Sequence, residues 1–298
     1  MAQIVITSDH YHPAFDARTV PAAYARSGDT AVFHCRDCYN QTMHTDRMSR
    51  EDMHITCPNP ATGPLYIEEA KAGDVLKVEI LEILPDTRGC MRLHPGVGAY
   101  EIDRSICRVF SVDPKDMTFD FDGITIPLRP MIGVIGTAPA GVPVDTETPA
   151  EHGGNLDIRE ITAGSTLYLP VGVDGALLSM GDIHGLQGDG ETAICALEMN
   201  GTVTVRVTVL KNRPDIPTPM LITDTHFITI AAHPSLDVCS VAAARNMHQF
   251  LLAHTHLDKP QAAMLLSLKG DLRISQIVNP AKGCMMAFPK DVIEIDFA

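Results

Sequence analysis

Apolar and polar residues alternate along most of this chain in the manner of strands. Asp74 to Leu84, DVLKVEILEIL, switches class at nearly every step, the two-residue period of a half-buried strand. Between Met117 and Leu128 the run TFDFDGITIPL holds two short alternating stretches around Asp122-Gly123, a dipeptide suited to a two-residue hairpin turn. Ser165 to Val173, Glu191 to Met199 and Thr202 to Leu210 are predicted as further strands. Many of the 21 prolines and 22 glycines punctuate these runs, as a sandwich or barrel with many turns requires.

The rhythm changes after about Leu221. Ser235 to Thr255 places Val238, Val241, Ala242, Met247, Phe250 and Leu251 near helical spacing. A second helix is predicted over Lys259 to Leu268, with Pro260 in its first turn, where a missing N–H does no harm. The fold class is therefore mainly β: a β-rich body over residues 1–220, followed by a smaller α+β portion over 221–298. No Gly/Ser linker marks the seam, and no short repeat or low-complexity tract stands out.

Composition narrows the partners. Hydrophobic residues make up 45% and charged residues 20% of the 298, ordinary for a globular protein with a well-buried core. The 23 basic and 37 acidic residues leave a net charge of −14, which disfavours nucleic acid and anionic membrane surfaces as partners. A small neutral or cationic molecule fits better. The first residues, MAQIVITSDHYHP, lack a basic segment followed by a long apolar one, and no run of about 18 apolar residues occurs. Eight cysteines are too sparse for a disulfide scaffold, so reduced thiols in the cytoplasm are expected.

The segment richest in chemistry is Gly181 to Glu191, GDIHGLQGDGE, which sets Asp182, His184, Asp189 and Glu191 among four glycines. Asp182 and His184 stand two apart, so on an extended chain both project from one face. A carboxylate beside an imidazole is a natural partial site for zinc, which takes oxygen and nitrogen ligands. Glu191 returns to the same place and can serve as general base or further ligand. The plainer reading is a polar hairpin loop whose acids cap turns.

Other segments offer companions. In HCRDCYNQ, Cys35 and Cys38 have the spacing of half a zinc knuckle, but no second such pair exists; Asp37 is a carboxylate able to join Asp182 and His184 from a distant segment. In PAEHGGNLD, His152 can donate to a developing oxyanion or bind metal, and Asn155 can hold an amide. His94, in RLHPGVG, sits beside a turn signal and is placed at a pocket mouth, whereas His226 reads as a hydrogen-bonded strand histidine. His248, His254 and His256 read as a solvated helical face, and the 14 methionines as core filler. No GxSxG elbow, SxxK pair, P-loop or nucleotide fingerprint occurs.

At these same segments the chain resembles the bacterial acetamidase/formamidase family. The stretches that carry the likeness are GDT and RDC (28–30 and 36–38), TGPLYIEEAKAGDVLKVEI (62–80), PMIGVIGTAPAG (130–141), HGGNLD (152–157), LYLPVGVDGALLSMGDIHGLQGDGE (167–191) and GDLRISQIVNPAKG (270–283). They run in order nearly end to end, and the pairing of HGGN with GDxHxxQGDGE is the specific part. The resemblance implies a β-sandwich body with jelly-roll character, a smaller C-terminal α/β portion, a homodimer, a divalent metal (zinc first) and a small linear amide as substrate. It places Asp37, Asp182 and His184 at the metal, with Glu191 and His152 beside them. The catalytic candidates are then Glu191, His152 and Asp189, and the substrate-binding candidates Asn155, Gln187 and His94.

The expected chemistry is hydrolysis by metal-activated water, with Glu191 moving the proton. Two rivals stay open from the sequence. One is a related metal hydrolase of another compact C–N substrate such as a ureide, carbamate or guanidine derivative. The other is a non-catalytic metal- or carbohydrate-binding sandwich, disfavoured by the absence of Trp and only 5% aromatics. The preferred acyl group is left open.

Overall fold

The computed structural model describes residues 4–46, 48, 53–295 and 297. The chain is mainly β, with two helices near its end among these residues. Eighteen strands form one extensive, largely antiparallel sheet that folds over a shared core in sandwich fashion, jelly-roll-like in character. That core is filled by Phe33, Leu65, Leu76, Ile132, Met180 and Val205, all fully or almost fully buried. Among the described residues only two pairs of strands run parallel, Ile4–Ile6 with Thr30–Cys35 and Ala23–Ala25 with Ala61–Ile67.

The alternating run at Asp74 is the start of the longest element, Val75–Leu93, which extends nine residues beyond Leu84. Its first half alternates buried and half-buried positions, the period that suggested a strand. It pairs in succession with Thr166–Pro170, Glu198–Leu210 and Ile106–Asp113. The hairpin read at Asp122-Gly123 is present: Phe121 faces Ile124, and both turn residues take the left-handed conformation, with φ of 52° and 87°.

One predicted strand is displaced. Glu191 to Met199 reads as alternating, but only Glu198 and Met199 join a ladder, in Glu198–Leu210. Glu191 and Ile194 sit at φ of 42° and 80°, and their backbone N–H groups close turns onto Gly188 and Glu191. The left-handed residues curl the segment out of the sheet.

The C-terminal portion pairs His226–His233 with Lys282–Pro289, which in turn pairs with Asp271–Gln276. Helices Leu236–His254 and Lys259–Lys269 cover this ribbon. The second helix starts where a capping box closes it: Gln261 N donates to Asp258 Oδ1 at 2.8 Å, and Asp258 N donates to Gln261 Oε1 at 3.0 Å. The first helix buries Cys239, Ala243, Met247, Phe250 and Leu251. Val238 and Val241, expected on that face, are about half exposed, because the packed stripe follows the 239–243–247 positions. His254 is not solvated either: its side chain packs on Phe250 and Phe297 and reaches Asp215 at 3.1 Å. Position 220/221 falls inside the strand Met220–Ile222, which pairs with Thr166–Pro170 on one side and His226–His233 on the other. Leu221, Ile230 and Met285 belong to the main core.

Candidate active site

Strand Leu178–His184 is buried along its whole length, yet it ends in two ionisable residues, Asp182 and His184. Asp182 takes φ of 55°, a left-handed kink in mid-strand that a non-glycine residue adopts only when its surroundings hold it there. The kink leaves Asp182 Oδ1 3.4 Å from His184 Nε2. Gly133 lies between Ile132 and Val134, which pair with Ile183 and Gly181 on either side of Asp182, and a Cβ on it would lie 2.7 Å from Asp182 Oδ2 and 2.8 Å from Asp157 Oδ1. Glycine there leaves room for two carboxylates.

Three further acids converge from separate elements. Asp157 follows the short strand Gly153–Asn155 and brings Oδ1 to 3.9 Å from His184 Nε2. Glu198 opens the strand that pairs with His184, and its Oε2 lies 3.3 Å from the same nitrogen. Glu191 is delivered by the Gly188–Gly190 turn, which Gly190 anchors to Ser275 and Ile277. Two triads result, Asp157/Asp182/His184 and His184/Glu191/Glu198, each with its ligand atoms within 4.8 Å of one another. The Cys38 thiol forms a third such group with Asp182 and Glu198. Asp157 and Glu191 share with Asp182 the left-handed backbone, at φ of 47° and 42°.

Amide side chains hold this cluster from behind. Gln187 Oε1 meets His184 Nδ1 at 2.8 Å, and Gln187 Nε2 donates to the Asp157 carbonyl at 2.8 Å. Gln187 Oε1 keeps a proton on Nδ1, so when the ring is neutral its Nε2 lone pair faces the carboxylates. Asn279 Nδ2 donates to Asp157 Oδ2 at 2.6 Å, and Asn59 Nδ2 to Asp182 Oδ2 at 3.2 Å. The Asn155 orientation that satisfies both its amide atoms turns its nitrogen to Asp182 Oδ2 (3.1 Å) and Asp157 Oδ1 (3.3 Å).

So many buried acids strain one another. Burial, reinforced by neighbouring carboxylates, raises Asp157 to about 6, Glu198 to about 8 and Glu191 well above the usual carboxylate range. Burial opposes a charged His184, but Glu198 and Asp182 outweigh it and raise the imidazole. Asp182 Oδ1, Glu191 Oε2 and Glu198 Oε2 are buried without a hydrogen-bond partner. Desolvated acceptors of this kind cost several kcal/mol each unless a cation meets them. The donor set, carboxylate oxygens with one imidazole nitrogen fixed by an amide, fits a divalent metal such as zinc.

The cluster floors a cavity of about 800 Å3. Asp182, Glu191 and Glu198 face into it, with Asn59, Asn155 and Asn279 beside them, and His94 and Arg92 form part of its wall.

Of the residues expected from sequence, Asp182, His184 and Glu191 meet here, Asn155 and Gln187 touch the carboxylates or the imidazole, and His94 lines the cavity. Asp37 is buried nearby, but its Oδ1 accepts from the backbone N–H groups of Tyr39 and Gln41 at 3.0 and 2.8 Å, the pattern of a turn-capping aspartate. His152 packs edge-on against Phe15 with ring centroids 4.8 Å apart, outside the cavity lining. Asp189 points the other way, pairing with Arg273 at 2.6 Å and Arg159 at 3.2 Å. Asp157 and Glu198 went unread. The signal for Glu198 was present, since it is the one charged residue in the apolar run Ile194–Met199.

Comparison with known proteins agrees with this picture. The sequence profile of the acetamidase/formamidase family matches residues 3–146 and 140–295. The crystal structure of an acetamidase from Bacillus halodurans superposes with a TM-score of 0.94 at 43% identity, covering 97% of this chain and 98% of that one. A Thermoanaerobacter tengcongensis protein described as a predicted acetamidase/formamidase gives 0.94 at 34% identity, covering 98% and 97%. An acetamidase of Mycolicibacterium smegmatis is 27% identical over 276 residues, 70% of this chain and 67% of its own length. A Schizosaccharomyces pombe relative is 29% identical over 248 residues, and the match spans 60% of its length.

Proposed function

The chain belongs to the acetamidase/formamidase family, and from that membership we propose that it hydrolyses a linear amide to carboxylate and ammonia at the Asp157, Asp182, His184, Glu191 and Glu198 cluster. The observation that carries the reading is the convergence of four buried carboxylates on one imidazole whose free nitrogen faces them.

Asp157, Asp182, His184 and Glu198 are the residues that would hold a divalent metal, zinc first among candidates. Bound there, it supplies Lewis acidity, which polarises a carbonyl and acidifies water. It also compensates the buried acids and reverses their protonation, favouring ionised carboxylates and a neutral His184.

The chain's own groups perform the rest. Glu191, buried and lining the cavity with Oε2 unpartnered, takes a proton from water as its oxygen adds to the amide carbon. Glu191 then returns the proton to the nitrogen, the C–N bond breaks, and ammonia leaves. Asn59, Asn155 and Asn279 hold the Asp157 and Asp182 carboxylates in place, and Gln187 fixes the His184 ring.

The same reading includes a homodimer in a reducing cytoplasm. Eight free thiols fit that compartment. Apolar Leu272 and Ile274 are exposed on the strand Asp271–Gln276, a surface suited to a second copy. No helix among the described residues is long and apolar enough to cross a membrane.

Ammonia release from formamide, acetamide and propionamide tests the reaction class. Turnover of a ureide, carbamate or guanidine derivative with none of any amide would move the assignment to that chemistry. Bound metal with no ammonia from any of these compounds would leave a binding protein instead.

A further inference from the structure

The cavity exceeds what formamide or acetamide needs. At about 800 Å3 it matches sites for compact organic ligands, roughly 300–1,000 Å3. A one- or two-carbon amide occupies the space of two or three waters, at about 30 Å3 each. Above the acidic floor the walls include Ile55, Pro58, Val97, Ile194 and Pro280. They supply apolar surface among polar groups such as His54, His94, Glu147 and Asn279, so the passage is mixed.

Arg92 stands apart. It is the one Lys or Arg on the cavity wall among the described residues. It is half-buried, and no hydrogen bond or ion pair engages its guanidinium among the described residues. Its backbone, by contrast, is fixed. Cys195 Sγ lies 3.1 Å from both the N and the O of Arg92, and Cys195 stands three residues before Glu198.

Cys90 pairs with Glu198 in the ladder. Arg92 therefore projects from the same face of the strand, roughly 7 Å further along it. A planar guanidinium on the wall of the cavity, on the cluster's side of the strand and lacking a partner among the described residues, is a fork for a carboxylate. Glu147 also lines the cavity but is itself engaged.

We infer that the substrate is an amide with a carboxylate at the far end of a short aliphatic chain, the carboxylate seated on Arg92 and the amide at the acidic cluster. This rests on the amidase reading above. One water is consumed: its oxygen bonds to the amide carbon, the C–N bond breaks, and the products are a dicarboxylate and ammonium. The overall charge is unchanged.

The test compares succinamate, glutaramate and adipamate with the neutral amides of matching length, pentanamide, hexanamide and heptanamide. The metal-loaded protein and the Arg92→Gln and Arg92→Lys variants are assayed by ammonia release, with thermal unfolding confirming that each variant is folded. At least one anionic amide should exceed its neutral match in kcat/KM by tenfold or more. Arg92→Gln should abolish that preference through KM, and Arg92→Lys should keep part of it. A wild-type protein that favours the neutral chains, or a preference untouched by Arg92→Gln, overturns the inference. If neither series turns over while acetamide does, the inference fails and the amidase reading stands; if formamide, acetamide and propionamide are inert as well, the amidase reading itself fails. Calorimetric binding of glutaramate then decides the carboxylate seat: tenfold weaker binding to Arg92→Gln supports it, and equal binding removes it.

Discussion

His184 Nδ1 lies 2.8 Å from Gln187 Oε1, and this contact decides what the other face of the ring can do. An acceptor at Nδ1 keeps a proton there, so in the neutral ring the bare nitrogen is Nε2, 3.3 to 3.9 Å from three carboxylates. Gln187 is itself anchored through Nε2 to the Asp157 carbonyl. One amide thus ties the imidazole to the loop that supplies an acid.

Replacing Gln187 with Leu should release the ring. Groups that orient a metal-bound histidine are typically worth about 10- to 100-fold in affinity or activity. Metal titration against a competing chelator should show a loss of that size, with the fold intact by circular dichroism. Unchanged affinity would mean that packing alone orients His184.

Gly133→Ala puts a methyl group 2.7 Å from Asp182 Oδ2 and 2.8 Å from Asp157 Oδ1. Overpacking of a filled interior costs about 1–3 kcal/mol, and here the atoms that must yield are the proposed ligands. Lower metal content, together with a lower denaturant midpoint, is the expected result. A variant that loads metal normally would show that the carboxylates have more freedom than the geometry allows.

Glu191→Gln keeps the side chain's shape and removes its basicity. Metal content should persist while kcat falls by about 10²–10⁴-fold, the usual contribution of a general base. Near-normal kcat would remove Glu191 from the proton path.

His152 provides a pH test away from the cluster. Burial lowers its imidazole to about 4, against a weaker opposing effect of Asp145. In the unfolded chain it titrates near 6.5. Between those values the unfolded state binds the extra proton, so the contribution of a neutral buried His152 is complete above about pH 6.5. It declines as pH falls toward 4, by up to about 1.4 kcal/mol per unit. His152→Gln has no such proton to bind, so its stability relative to the wild type should improve from pH 7 to pH 4.5 in urea unfolding. A constant difference across that range contradicts the assignment.

The sequence revealed the strands well because their alternation reflects a sheet with one face on the core. The hairpin at Asp122-Gly123 was legible because its turn demands positive φ twice. Glu191 to Met199 was misread because alternation cannot register a left-handed residue, and two of them bend the segment away. The same blindness hid how the site is assembled. Asp182 and His184 were paired correctly by spacing, but the kink at Asp182 and the glycine opposite are matters of backbone conformation and register. Asp157 and Glu198 arrive from strands distant in sequence. Asp189, adjacent to the active segment, instead serves an ion-pair network with Arg159 and Arg273. Neighbourhood along the chain is a poor guide once glycines allow it to reverse.

The most direct test of the account is ammonia release from a responsive amide before and after metal removal. The protein is first assayed for metal content, then stripped with chelator, and finally supplied with zinc. The account predicts bound divalent metal in the active protein, loss of turnover on stripping, and recovery on adding zinc, with Glu198→Ala and Asp182→Ala failing to recover. Full ammonia release from protein shown to be free of metal would contradict it.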